Sequence, residues 1–123
     1  MKIERETAEG RNLFTGYGEG YVAVNATRVT GNVIVSAGKI EPGWTEGGIG
    51  TLTAVQVTGL LEWQPEIVLL GSGTKFAFPD PAVLAPLYGA RVGVEVMDTR
   101  AACRTYNILL AEGRNVIAAL IVD

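Results

Sequence analysis

The chain contains no histidine and only one cysteine in 123 residues. Without imidazole there is no Ser-His-Asp or Cys-His nucleophile pair, no side chain whose ordinary pKa lies near neutrality, and no member of the commonest zinc ligand sets. Cys103 alone cannot form an intrachain disulfide and provides no paired-cysteine metal or redox motif, a pattern compatible with a reducing cytoplasm. Acidic residues form no dense cluster, so neither a metal nor a cofactor is expected. Charge is sparse as well: 19% of residues are charged and the net charge is -3, which opposes a phosphate-backbone partner. Long apolar runs are missing. The longest, Val116 to Val122, is far too short to span a bilayer and reads as a buried strand. Residues Met1 to Glu9 mix charges and show no targeting pattern, so a cytoplasmic protein is expected.

What is present suits one α/β domain. With 48% apolar residues, a chain of this length has ample material for a core. Residues 1–16 are polar and aperiodic and read as an N-terminal arm; residues 17–123 read as the domain. The segments Tyr21-Val22-Ala23-Val24-Asn25 and Val33-Ile34-Val35-Ser36 flank Gly31-Asn32, a pair suited to the positive φ of a tight turn, and predict an antiparallel hairpin. Gly38 to Gly50 reads as a long connection anchored by Trp44. A helix is predicted to start at Thr53, where Thr53 and Gln56 form a capping box and Leu52 can staple onto Val57, and to stop at Gln64-Pro65.

The continuous apolar run Glu66 to Leu70 reads as a central strand covered on both faces, followed by the turn Gly71-Ser72-Gly73-Thr74. A short extended piece at Phe76-Ala77-Phe78 follows. Asp80-Pro81 caps a helix that Gly89 stops in the left-handed conformation. Val92 to Met97 is a further strand, and Asp98 or Thr99 caps a helix to about Gly113. Strands separated by helices favour right-handed crossovers and parallel pairing, hence a layered α/β domain with a largely parallel sheet.

If the strands at 66–70 and 92–97 are parallel neighbours, their carboxyl ends share one edge, where open α/β sheets hold ligands. That edge collects the candidate binding residues: Gly71, Ser72 and Gly73 in the turn, then Asp98, Thr99, Cys103, Arg104, Tyr106 and Asn107. The turn could offer amides to an anion with Arg100 or Arg104 adding charge, or its glycines could serve only the tight exit from a strand. It matches neither the Walker loop nor the dinucleotide fingerprint. Cys103 could be an activated thiol beside Arg104, or a packed one. Asp98 and Asp80 read as helix caps, and no carboxylate pair suggests acid–base catalysis.

Ile67-Val68-Leu69-Leu70-Gly71-Ser72-Gly73, then Phe76-Ala77-Phe78-Pro79, then Gly93-Val94-Glu95-Val96-Met97-Asp98-Thr99 with Ala102-Cys103-Arg104-Thr105-Tyr106-Asn107, resembles the Mth-domain family. The resemblance covers most of residues 17–122, including Tyr17-Gly18-Glu19-Gly20; one departure is Ser72, where the family's turn is commonly Gly-Thr-Gly. That family includes the adipogenesis-associated Mth-domain-containing protein and the mitochondrial complex I assembly factor three. The resemblance implies a small three-layer domain, with helices on one face of a central mixed sheet and a β-rich layer opposite. It supplies no established catalytic residues. The function expected is a non-catalytic interaction or assembly module, with an unidentified protein partner. The alternative is a small-molecule or anion-binding protein or enzyme using the crevice around 71–74 and 98–107.

Overall fold

The computed structural model describes residues 10–123. Among the described residues, eight strands form a five-stranded mixed sheet and a separate antiparallel sheet of three strands, with three α-helices packed around them. The small sheet comprises β1 (Phe14–Gly18), β2 (Tyr21–Val24) and β3 (Thr27–Thr30). The chain then crosses into the large sheet as β4 (Val33–Val35) and β5 (Ile40–Pro42). After a 3-10 turn at Ile49–Thr51 come α1 (Ala54–Thr58) and a second 3-10 turn, Gly59–Trp63. The remaining elements are β6 (Ile67–Gly71), α2 (Pro81–Gly89), β7 (Gly93–Met97), α3 (Thr99–Ala111) and β8 (Val116–Leu120).

The large sheet runs β5-β4-β8-β6-β7. Strand β6 pairs in parallel with β7 and with β8, while β4 pairs antiparallel with β8 and β5. Alternation along the strands divides the core in two. Val33, Val35, Leu69, Ala118 and Leu120 face one side, where they meet α3 and the small sheet. Ile34, Val68, Leu70, Ile117 and Ala119 face the other side, against α1, α2 and the 3-10 segment between α1 and β6. All five residues of β8 are buried, as a central strand covered on both faces requires.

The mixed sheet, the α/β class and the separate β layer agree with the sequence, whereas the expectation that every helix shares one face does not. Helix α3 packs on the same side as the small sheet, because Ala102, Cys103, Tyr106 and Leu110 form an apolar stripe that fits beside Phe14, Val22 and Val24. The predicted hairpin about Gly31-Asn32 also requires correction. The real turn lies at Asn25-Ala26, with Asn25 at φ 55°, and β2 pairs with β3. Gly31-Asn32 instead carries the chain from one sheet to the other. The Asn32 amide donates to the carbonyls of Thr45 and Gly47 at 2.8 and 2.9 Å, and its carbonyl oxygen accepts from Val122 N–H at 2.8 Å.

The expected polar arm is shorter than 16 residues on its described side. Asn12 bonds the backbone of Ala37, and β1 begins at Phe14, whose side chain is buried. Residues 1–9 of the expected arm lie outside the described residues. The extended piece at 76–78 lies within the loop between β6 and α2 and joins neither sheet. Ser72 Oγ donates to Lys75 O at 2.7 Å and accepts from Ala77 N–H at 3.2 Å, which fixes the loop without a neighbouring strand.

The helix signals are present with adjusted ends. Thr53 and Gln56 form both bonds of the capping box, and Asp80 and Asp98 cap α2 and α3. Propensity costs at Val57, Thr58 and Gly59 limit α1 to just over one turn before the 3-10 segment. At the end of α2 the left-handed residue is Arg91, φ 62°, instead of Gly89. Helix α3 ends in a Schellman arrangement: Gly113 has φ 83°, its N–H donates to Leu110 O, and Arg114 N–H donates to Leu109 O.

Candidate functional site

Parallel pairing of β6 with β7 does bring the 71–74 turn to the start of α3, as the shared carboxyl edge requires. The link is Thr99. Its buried hydroxyl donates to Ile121 O at 2.6 Å and accepts from Gly73 N–H at 2.8 Å, while its own N–H donates to Gly73 O at 2.9 Å. Gly71 is packed so closely that a Cβ there would lie 2.7 Å from Leu120 Cδ2 and 3.1 Å from the Thr99 Cα. Gly73 has φ +106°, a conformation that side chains other than glycine rarely adopt. Ser72 donates its N–H to Met97 O at 2.8 Å and uses its hydroxyl within the following loop.

The amides that could have cradled an anion are engaged within the chain. Gly73 N–H goes to Thr99, and the N–H and hydroxyl of Thr74 both donate to Asp123 Oδ1, at 2.8 and 2.9 Å. Those two bonds hold the Asp123 carboxyl below the usual carboxylate range. Asp98 accepts from Ala101 N–H at 2.9 Å and therefore serves the helix start.

Helix α3 distributes the other candidates over two faces. Cys103 is 1% exposed within the core, and burial pushes its thiol up to about 12 against the weaker opposing pull of the Arg104 charge. A neutral thiol with no neighbouring base is a packing group at physiological pH. Tyr106 is fully buried; its hydroxyl donates to Asn12 O at 2.9 Å and its ring meets Phe14 edge-on at 5.0 Å. Burial raises the Tyr106 hydroxyl pKa, so it stays protonated. Asn107 imitates a neighbouring strand: its amide oxygen accepts from Phe14 N–H at 3.0 Å and its amide nitrogen donates to Phe14 O at 2.8 Å.

Arg104 alone among the nine candidates reaches outward along α3. Its Nη1 donates to the Tyr17 hydroxyl at 2.8 Å, and Arg100, one turn earlier, places its guanidinium 5.5 Å from the Tyr17 ring centre. One turn later Ile108 is 59% exposed. Arg100, Arg104 and Ile108 thus form an outward stripe at four-residue spacing with Tyr17 from β1 beside it. A groove of about 340 Å³ runs between β1 and α3, bordered by Phe14, Thr15, Gly16, Tyr17, Arg104 and Asn107, with the buried Cys103 at its floor. The sequence candidates omitted Tyr17 and Ile108. The helical spacing of Ile108 from Arg104 was a usable signal, whereas the approach of Tyr17 depends on a contact 87 residues apart.

Several known proteins are similar to this chain in sequence or in fold. A protein of Bordetella parapertussis with a crystal structure is 39% identical, with a TM-score of 0.83 over 93% of this chain and 98% of its own. The solution structure of a Bordetella pertussis protein, described as a Mth938-like domain, is 35% identical, with a TM-score of 0.77 over 91% of this chain and 86% of its own. The Xenopus tropicalis protein named NADH dehydrogenase [ubiquinone] 1 alpha subcomplex assembly factor 3 is 32% identical over 98% of this chain, which spans 66% of that factor's length. The family model described as a protein of unknown function (DUF498/DUF598) matches residues 14–121, and the chain belongs to that family, with the Mth938-like fold.

Proposed function

We propose that this protein is a non-catalytic interaction module that acts in assembly, and that it engages a protein partner through the outer face of α3 and the adjacent β1. The observation that carries this reading is the division of labour along α3. The groups able to do chemistry, Cys103 and Tyr106, are buried and protonated, while Arg100, Arg104, Ile108 and Tyr17 are gathered at the surface. Arg and Tyr are the residue types that most often dominate binding energy at protein interfaces, and two guanidinium groups favour an acidic patch on the partner. The groove between β1 and α3 gives such a partner a concave seat. The printed name of the Xenopus relative supports assembly as the process, including assembly of a respiratory complex.

The turn residues Gly71, Ser72, Gly73, Asp98 and Thr99 act in this reading as the frame that fixes the start of α3, and Asn107 fixes β1 against it. A cytoplasmic setting belongs to the same proposal, supported by a single cysteine held as a free thiol. Affinity purification of the tagged protein from its host lysate tests the function, with wild type compared against Arg104→Ala. A stoichiometric protein lost in a variant that melts like wild type supports the reading. A co-purifying metabolite lost in its place moves the assignment to a ligand-binding protein.

A further inference from the structure

A second hollow in the described chain lies on the opposite side of the central sheet from Arg104. It is a cleft of about 580 Å³ between the β4–β5 edge and the α1/3-10 segment, within the roughly 300–1,000 Å³ typical of small-ligand sites. Both tryptophans of the chain, Trp44 and Trp63, line it. We infer that this cleft is a binding site for an alkylammonium or guanidinium group carried on an apolar stem.

Three observations support that ligand class. First, the cleft already contains such a group in its own Lys39, whose ammonium lies 4.6 Å from the centre of the Trp63 ring and 3.5 Å from a Glu41 carboxylate oxygen. An aromatic face together with a carboxylate is the arrangement that attracts organic cations. The Lys39 side chain is 63% exposed, so it is an exchangeable occupant that water readily takes back. Second, the charge left over is negative. Lys39 is paired with Glu41, whereas Glu62 borders the same cleft with no ion-pair partner among the described residues.

Third, the cleft is held open and its walls are fixed. Trp44 donates its indole N–H to Leu120 O at 3.0 Å. Gln56 is held by its capping-box bonds and by donation to Thr45 Oγ1 at 3.0 Å. Gly59, which borders the cleft, has φ -59° and ψ -23°, values open to any residue, and a Cβ there would meet nothing within 4 Å. Glycine is a poor residue for a helical turn, and no clash or unusual φ requires it at this position. Its lack of a side chain does leave room for the stem of a ligand.

Two sources share this chemistry: a free amine or guanidine, and the basic side chain of a partner peptide. The test uses the Trp63 indole N–H signal in 1H–15N spectra of the full chain. Titrants are n-butylguanidinium, a capped five-residue peptide with arginine at its centre and alanine elsewhere, and neutral n-butylurea. The expected result is a saturable shift with both cationic probes and none with the urea. Glu62→Gln should weaken binding roughly tenfold, the scale of one charge-assisted contact. Lys39→Ser should tighten it by removing the internal competitor, and Gly59→Leu should abolish it while melting no lower than wild type. A peptide that binds at least roughly tenfold tighter than butylguanidinium identifies a partner side chain as the source, and equal or weaker peptide binding identifies a free amine. The inference is overturned if the urea binds as well as the cation, if neither cation gives a saturable shift, or if Lys39→Ser loses binding. Because Glu62→Gln and Lys39→Ser are surface changes, they decide the matter even if Gly59→Leu does not fold.

Discussion

Replacing Thr99 with valine removes one hydroxyl and almost no volume, so it isolates the bonds that join the 71–74 turn to β8 and α3. Thr99 is 7% exposed, and its hydroxyl serves two backbone groups, Gly73 N–H and Ile121 C=O. Valine leaves both without a partner in a place that water does not reach. Each orphaned group costs about 1–3 kcal/mol, and the added apolar methyl returns up to about 1 kcal/mol. The net loss spans about 1–6 kcal/mol, and the middle of that range is about 2–4 kcal/mol. An unfolding entropy near 2.1 cal/mol/K per residue gives a chain of this length about 0.26 kcal/mol/K, so the melting temperature should fall by about 8–15 °C. Thr99→Ser keeps both bonds and loses only a methyl, at about 1 kcal/mol or about 4 °C. Calorimetric melts of the three proteins at neutral pH provide the comparison, with exchange of the Gly73 amide as a local check. A Thr99→Val protein melting within about 3 °C of wild type, or a serine variant falling as far as the valine one, would refute the argument.

Asn107→Ala should cost about 1–3 kcal/mol by releasing both backbone groups of Phe14, with faster amide exchange concentrated in β1; uniform loss of protection would show that the effect is global. Cys103 in the native protein should react with a thiol reagent only as fast as the chain unfolds, and labelling that outruns unfolding would contradict its burial. The same thiol gives an alkaline signature. Its folded pKa is raised to about 12 from 9.0, so its contribution is complete below 9 and is lost as pH rises from there toward 12. The stability difference between wild type and Cys103→Ala should accordingly shrink over that range. Asp123 works in the opposite direction: its folded pKa is lowered from 3.8, so its stabilisation is present above that value and lost as pH falls through the depressed folded value. Melts of wild type and Asp123→Asn should converge in strong acid, and a gap that persists there would exclude the Thr74 bonds as its cause.

Much of the scaffold was legible because local chemistry dictates it. The capping box at Thr53 and Gln56, the aspartate caps at 80 and 98, and the uninterrupted apolar run of β6 are signals contained within a few residues. The hairpin was misplaced because Gly31-Asn32 resembles a tight turn in sequence, while the side chain of Asn32 bonds residues that are distant along the chain. Position along the chain also hid the side of the sheet on which α3 packs. That choice depends on Phe14, Val22 and Val24 arriving from the small sheet, and Phe14 lay in a stretch read as a polar arm. For the candidate site, adjacency at the sheet edge was predictable from parallel pairing, but its chemistry was not. Burial of Cys103 and the two-sided clasp of Phe14 by Asn107 arise from tertiary packing that helical periodicity alone leaves unassigned. The cleft of Trp44 and Trp63 is hidden in the sequence for the same reason: Gly38 to Gly50 reads as one connection, and only the tertiary pairing of β5 with β4 makes the edge that borders it.

The position of β8 has a consequence for how the molecule is made. It follows every other strand in the sequence yet lies third in the five-strand order, between β4 and β6. While the chain is being synthesised, the β4–β5 pair and the β6–β7 pair can each form, but nothing joins them until residues 116–120 have left the ribosome. Until then, both inner edges present unpaired backbone and apolar side chains, the features that lead nascent chains to associate wrongly. The central strand therefore sets the moment at which this protein can first become native, and ribosome-stalled chains ending before Val116 should depend more on chaperones than chains stalled well beyond Leu120.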